Sequence, residues 1–526
     1  MNRLKNFDAA EDARRALTVL LGARPLWLLR ERRDGRAVEL RRGDWELCVA
    51  GGALAFSYWG ESGRRDWRVA AWSAEGDTLM LEASRRMGAE RARLRLVPRA
   101  LVATARETVA DARRAECERL ASLISAFAGA RVERAALSVG ARRGEPGRWA
   151  RIILRTGGGR VAVTGPVVPA GAEAAESLLA SALLWLSRLD EGARGARVGE
   201  LWLVARHALA AALCERVPVL REDLRARTSV FELDEEGSAP ARIDIPTLSE
   251  LLDAHAPRLP RAKADALSEL AASVVALAPE QIDVVRARRG ETLRFNGLPF
   301  ARVRRLYGRE QLWFGVGSAP RPGLKGAPHS GAGVAPRRTP LDEEGAPAFL
   351  KLLEELREHR RAGASGRGHA LYRAAPEAWL ESLLRRDITR LDPGLRLAPL
   401  HAQFRAPHAA GGARPVDLLP LRRDGRLVVI ELKVSEDAAL ALQGADYWRR
   451  VEAGRRRGDI RRARLFGDAE VADEPPLVYL VAPMLRFHRS FHTLARAVTP
   501  RVEMYRVDLN EDWRAGVRVV RRARVA

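Results

Sequence analysis

A chain of 526 residues that is 47% hydrophobic and 30% charged carries enough apolar material for several folded domains, which excludes wholesale disorder. Basic residues outnumber acids by 90 to 67, a formal net charge of +23 that suits a polyanionic partner. Three isolated cysteines (Cys48, Cys117 and Cys214) exclude a disulfide framework, a structural zinc site and an iron–sulfur cluster, and no apolar run reaches the ~18 residues of a membrane span.

The first 25 residues hold an apolar stretch too short and too charged for a signal peptide, so the cytoplasm is the expected location. Residues 1–105 read as a β-rich domain. One amphipathic helix around 9–21 precedes short strands separated by turns at Arg33-Asp34-Gly35, Gly51-Gly52, Gly60-Glu61-Ser62-Gly63 and Glu75-Gly76-Asp77. Trp45, Tyr58, Trp59, Trp67 and Trp72 lie among arginines there, either as a small-domain core or as a stacking surface for bases.

Residues 106–240 change rhythm to α/β. Helices are expected at 113–127, 172–189 and 208–216, and strands at 131–138, 150–155, 160–164, 200–205 and 228–233. Residues 241–316 read as helices followed by a three-stranded meander over 284–314. There Arg286, Arg288, Arg289, Arg294, Arg302, Arg304 and Arg305 interleave with Phe295, Phe300, Tyr307, Trp313 and Phe314. This is the best candidate for a duplex-tracking surface, with a solvated arginine-rich face as the alternative. Residues 317–345 are rich in Pro and Gly without periodicity, a flexible linker and domain boundary.

In residues 346–526 the order of 106–240 returns. A helix is expected at 377–391, three strands at 397–404, 416–421 and 427–433, then a helix (438–452), a strand (477–482), a helix (493–499) and a strand (502–509). Asp417 ends one apolar strand, a turn follows at Arg423-Asp424-Gly425-Arg426, and the next apolar strand ends in Glu431-Leu432-Lys433. Alternation puts Glu431 and Lys433 on one face and turns Leu432 into the core. Two carboxylates and an ammonium converging at a sheet edge suit a hard divalent cation and an activated water. Only five of the 90 basic residues are lysines, so a lysine kept in an apolar strand points to a need for a compact charge. No Walker A sequence accompanies it, which argues against an ATP-driven helicase.

Asp417, Glu431-x-Lys433 fourteen residues later, and Gln443-x-x-x-Tyr447 on the next helix together resemble the PD-(D/E)XK nuclease superfamily, in particular its RecB-type and NucS-type members. The resemblance covers the C-terminal third and implies a restriction-endonuclease-like αβββαβ core there, within an α/β multidomain chain. It further implies a deoxyribonuclease of DNA repair or processing that uses Mg²⁺ or Mn²⁺. Asp417, Glu431 and the Leu432 carbonyl would be metal ligands, and Lys433 would act on the attacking water and the developing charge. Gln443 and Tyr447 would position the scissile strand. Family members often add a helix acid, for which Glu377 is preferred and Glu381 is the second choice. Residues 106–240 are then either a second, degenerate nuclease-like copy, with Thr164 to Pro166 where the acid and lysine would stand, or an unrelated α/β domain. A catalytically silent nucleic-acid-binding scaffold is the alternative function. DNA is the expected partner with RNA left open, no membrane is involved, and monomer and dimer are both compatible with the sequence.

Overall fold

The computed structural model describes residues 2–3, 7–31, 38–60, 63–85, 88, 90–99, 105–140, 146–192, 197–234, 236–237, 239–257, 259, 266–287, 290–306, 309–316, 339–404 and 415–525. Two compact units divide it, Met1–Ala115 and Glu116–Ala526. Among the described residues no helix is long and apolar enough to cross a membrane.

The first unit is an antiparallel sheet of eight strands, all but one in a single hydrogen-bonded path. Helix α1 (Phe7–Gly22) covers it with Ala10, Ala13, Leu17 and Leu21, the three-to-four spacing that buries one stripe of a helix. Trp27, Tyr58 and Trp67 lie in that core and Trp45 and Trp72 pack against it, so these aromatics are structural. Trp59 alone of the set is well exposed, with the Arg64 guanidinium 5.0 Å above its ring. Of the expected turns, Arg33-Asp34-Gly35 and Glu61-Ser62 lie outside the described residues.

Two α/β subdomains share one topology, and both lie in the second unit except for the start of α2, before Glu116. The first runs α2 (Ala105–Ala128), β1 (Arg131–Val139), β2 (Pro146–Thr156), β3 (Gly159–Pro166), α3 (Ala175–Glu191), β4 (Val198–Arg206), α4 (His207–Arg216), β5 (Thr228–Leu233) and β6 (Pro240–Ile243). Strands β1 to β3 form an antiparallel meander, β3, β4 and β5 are parallel, and β6 closes the edge antiparallel.

Between the subdomains stands a meander of β7 (Ile282–Ala287), β8 (Gly290–Phe295), β9 (Leu298–Leu306) and β10 (Arg309–Phe314). It has four long strands where three were expected, because Gly290, at φ +125°, starts a new strand where any Cβ would meet the Val303 carbonyl at 2.2 Å. Phe295, Phe300 and Phe314 are core and Arg294 is buried, which removes them from the proposed duplex-tracking surface. Arg288, Arg289 and Tyr307 lie outside the described residues, as does 317–338 of the expected linker. The linker does not separate independent cores: Phe349, Leu353 and Leu356 of α5 (Ala346–His359) pack with the meander's phenylalanines.

The second subdomain repeats the first. It runs α6 (Pro376–Arg386), β11 (His401–Phe404), β12 (Val416–Leu419), β13 (Val428–Leu432), α7 (Leu440–Arg456), β14 (Leu477–Pro483), α8 (Phe491–Arg496), β15 (Met504–Leu509) and β16 (Val519–Arg524). Its first three strands are again antiparallel, β13, β14 and β15 parallel, and β16 antiparallel at the edge. The helix expected to reach Leu391 stops at Arg386, where Asp387 leaves helical geometry and caps a separate 3₁₀ turn.

The two copies meet across one shared core that takes residues from α3 and α4 and from α7 and α8. Leu220, just after α4, bridges Val498, just after α8. Arg221 N–H donates to the Ala497 carbonyl at 2.9 Å and Thr499 N–H to the Val219 carbonyl at 2.8 Å. The same point of each copy therefore pairs with itself, as on an approximate two-fold axis. In keeping with it, α3 packs on α8 and α4 on α7.

Charge is buried in the same interface. Asp446 of α7, with 0% exposure, accepts from Arg449 at 2.8 Å and from Arg450, and Arg216 of α4 reaches to 3.5 Å. Glu215 and Glu176 complete the group through Arg449 and Arg216, so three carboxylates face three guanidiniums. Desolvation opposes the Asp446 carboxylate, but Arg450, Arg216 and Arg449 together hold its pKa well below the ordinary range. Such a carboxylate contributes stability that is fully present above its unfolded pKa, near 3.9, and is lost as the pH falls towards the folded value. Asp446→Asn is expected to cost about 3–5 kcal/mol at neutral pH by leaving the arginines uncompensated, with the gap to wild type closing below about pH 4. Urea unfolding from pH 3 to 8 checks this; a gap independent of pH contradicts it.

Candidate active site

The site forms where β12 and β13 diverge. These strands pair through Leu418 and Ile430, with a further bridge between Leu421 and Leu427. Beyond Ile430 the Leu432 N–H would lose its partner on that side, and the Asp417 carboxylate supplies one at 2.9 Å. The fork thus exists because a side chain replaces a backbone acceptor, and the replacement carries a charge.

Glu431, 2% exposed, projects into the fork beside Asp417, and Lys433 Nζ donates to its Oε1 at 2.8 Å. Glu431 Oε2 is buried and meets no donor, its carboxyl lying against that of Asp417. Burial first, and the Asp417 charge second, push the Glu431 pKa well above the ordinary carboxylate range, with the Lys433 ammonium working against them. Asp417 is also raised by burial, though the Leu432 N–H and Lys433 oppose it. Desolvation disfavours the Lys433 ammonium, but Glu431, Glu377 and Asp417 outweigh it and hold its pKa above the usual value. Lys433 is therefore a fixed cation at neutral pH.

The helix acids face the same cavity from α6. Glu377, in the first turn of α6, accepts a backbone bond from Val434 and senses both Lys433 and Asp417; burial raises its pKa. Glu381 is held by Arg294 Nη2 at 3.1 Å and by Gln403 Nε2 at 3.0 Å, and the same Gln403 nitrogen reaches Asp417 Oδ1 at 3.3 Å. A cavity of about 330 Å³ opens here, lined by Glu377, Glu381, Gln403 and Asp417. Among the described residues no three His, Cys, Asp or Glu side chains gather tightly enough to hold a metal by themselves. The structure thus brings Asp417, Glu431 and Lys433 together, and helix α6 adds Glu377 and Glu381 to the lining of the same cavity.

Helix α7 brings Gln443 and Tyr447 to the same side, and both are buried. Gly444 allows the close approach, since a Cβ there would lie 2.6 Å from Leu480 Cδ2. Burial, followed by the charges of Glu431 and Asp417, raises the Tyr447 phenol, which places it in the field of the pair. Gln443 Oε1 is buried and unpartnered.

Two residues that sequence reasoning missed complete the site. Gln403, on β11 with φ +51°, spans Glu381 and Asp417. Arg294 comes from the β7–β10 meander and joins Glu381 to Asp283, which Arg385 also binds at 2.7 Å. An arginine between Leu293 and Phe295, which are both buried, was the available signal. Arg360 fixes the start of α6 by donating to the carbonyls of Phe295, Asn296, Leu371, Ala374 and Ala375 under the Trp379 ring. Burial, with Arg514 nearby, pushes its pKa down to about 9.

Comparison of the chain with protein families found no match, and comparison with curated proteins and with solved structures found none either. The geometry of the fork therefore carries the functional reading.

Arg294→Gln is expected to destabilise the protein by about 3–5 kcal/mol, because it strips a buried carboxylate of its partner. The double variant with Glu381→Gln should recover more than about 1 kcal/mol of the summed cost. Chemical unfolding of the four proteins measures the coupling, and strict additivity refutes the link between the meander and α6.

Proposed function

We propose that the chain is a divalent-metal-dependent nuclease of the PD-(D/E)XK type that hydrolyses phosphodiester bonds in DNA, with its centre at Asp417, Glu431 and Lys433. The single observation that carries this reading is the pair of carboxylates at the strand fork, Asp417 half-buried and Glu431 buried, the latter holding an ammonium at 2.8 Å and presenting a second oxygen that meets no donor. An unpaired buried carboxylate oxygen is costly, and here it stands beside a second carboxylate and an ammonium at one strand fork.

The donor set fits Mg²⁺ or Mn²⁺: hard carboxylate oxygens, a Glu431 Oε2 that meets no donor, and acids raised by burial, for which a cation would compensate. Asp417 and Glu431 would hold the ion, with Glu377 as the nearest helix acid and the Leu432 carbonyl as the further ligand that the resemblance suggests. When bound, it would supply Lewis-acid polarisation of the phosphate and a more acidic water. The chain's own residues do the rest. Water adds to phosphorus and gives up a proton, the bond to the leaving sugar oxygen breaks, and that oxygen takes a proton. Lys433, held cationic by its carboxylate neighbours, offsets negative charge growing on the phosphoryl oxygens and orients the water through its N–H groups. It does so as a positive charge, since its proton is firmly held. Gln443 and Tyr447 offer an amide and a phenol along the α7 face to align the strand. The net charge of +23 supports a nucleic-acid substrate.

Glu431→Ala and Lys433→Ala should each lower cleavage of labelled DNA with Mg²⁺ or Mn²⁺ by about 10³-fold or more, while binding in EDTA stays within about threefold of wild type. Single-stranded, duplex, flap and mismatched DNA, with RNA of matched sequence, make up the substrate panel. Cleavage by both variants at the wild-type rate would falsify the site.

A further inference from the structure

The two-fold relation between the α/β copies identifies what stands at the counterpart of the catalytic fork. In the second copy Val428 and Ile430 face the α6 side while Val429 joins the shared core. In the first, Val161 and Val163 face the α2 side while Ala162 joins the shared core. Ile430 therefore matches Val163, Glu431 matches Thr164 and Lys433 matches Pro166. The neighbouring register agrees, since Glu431 lies beside Leu480 and Thr164 beside Leu203, both in the shared core. Leu418 opposes Ile430 and Ile152 opposes Val163, which puts Arg151 in the place of Asp417.

The substitution reverses the charge of the site. Thr164 carries no charge and spends its hydroxyl on the Ala150 carbonyl at 2.7 Å. Arg151, half-buried, reaches Ser181 Oγ at 3.4 Å and lies 5.8 Å from the Trp185 ring centre. Ser181 and Trp185 are one turn apart on α3, the spacing and helix that Gln443 and Tyr447 occupy in the other copy. Arg151 Nε is buried and unpartnered, and the residue makes no ion pair among the described residues. The charged group that perturbs it is another arginine, Arg188, which is exposed two turns after Ser181 on α3. Two cations therefore lie within electrostatic reach of each other, and among the described residues neither makes an ion pair. Among the described residues the buried arginines, Arg216, Arg294, Arg360, Arg449 and Arg450, each meet a carboxylate or a set of carbonyls.

We infer that the degenerate copy is an anion site, in which Arg151, with Ser181 and Arg188, binds one phosphate of a nucleic-acid backbone over the Trp185 ring. The planar guanidinium fork suits a phosphodiester, and desolvation strengthens such a bond. Where the second copy would gather a cation by carboxylates, the first gathers the phosphate directly. It has no acid pair and no lysine, so it binds without hydrolysis. The chain then engages its substrate at two related points and cuts at one. The identity of the ligand as nucleic acid rests on the proposed nuclease function; the anion site does not.

The test uses the full-length protein in EDTA with a labelled duplex, so that binding is read without cleavage. Arg151→Gln should weaken affinity roughly tenfold at moderate salt and flatten the plot of log K against log salt by about 0.9, one phosphate contact. Arg151→Lys should restore the slope but only a fraction of the affinity. Arg225→Gln, at a partly exposed arginine paired with Glu222, controls for loss of one charge and should change neither. Unaltered affinity and slope in Arg151→Gln overturn the proposal. If wild type binds no nucleic acid, the nuclease reading fails and the site is judged on inorganic phosphate alone. A phosphate-dependent rise in melting temperature that disappears in Arg151→Gln then supports it, and an equal rise in both proteins refutes it.

Discussion

The Asp446 carboxylate, buried in the interface between the two α/β copies, is the constraint on which the arrangement of the large unit depends. A lone charge at that depth would be expelled or neutralised. It persists because α7 supplies Arg449 and Arg450 and the other copy supplies Arg216, with Glu215 and Glu176 balancing the set. These ion pairs join α7 to α4 and, through Glu176, to α3. They hold the helix that carries Gln443 and Tyr447, and with it the approach of Gly444 to the sheet below Glu431.

A second set of buried charges sets α6 from the opposite side. Asp283, Arg294 and Arg385 tie the meander to Glu381, and Arg360 ties the meander's turn to Ala374 and Ala375. Gln403 carries this arrangement to Asp417. The fork is thus held between two polar frameworks, each assembled from segments distant in sequence. The carboxylates within it are raised and incompletely paired, and the strain is tolerable because the surrounding structure is locked. This division, locked surroundings and an under-compensated centre, is what a preorganised hydrolytic site requires.

Much of this was legible in the sequence. Strands β1 to β5 and β11 to β15 are apolar enough to announce themselves, and their matching order predicted a repeated topology that the strand order now displays. Asp417, Glu431 and Lys433 were legible for the converse reason, as charges at the ends of apolar strands. Strands β6 and β16 were not, because each closes an edge, reads PARI or VVRRAR, and exposes arginines where an inner strand would show alternation. The meander's phenylalanines looked like part of a duplex-tracking surface because linear spacing cannot say that α5 covers them. Gln403 was illegible, and Arg294 showed only as an arginine between apolar neighbours, because their roles arise from docking between segments. So was the reversal at Arg151, whose meaning depends on register with a strand more than 260 residues away.

The central claim is that one of two related forks holds a divalent cation and the other repels it. Anomalous diffraction from crystals of the protein soaked in Mn²⁺ tests it most directly. The account predicts a single strong peak against Asp417 and Glu431, absent in Glu431→Ala, and none near Arg151. A peak at neither fork, or one that survives Glu431→Ala unchanged, would contradict it.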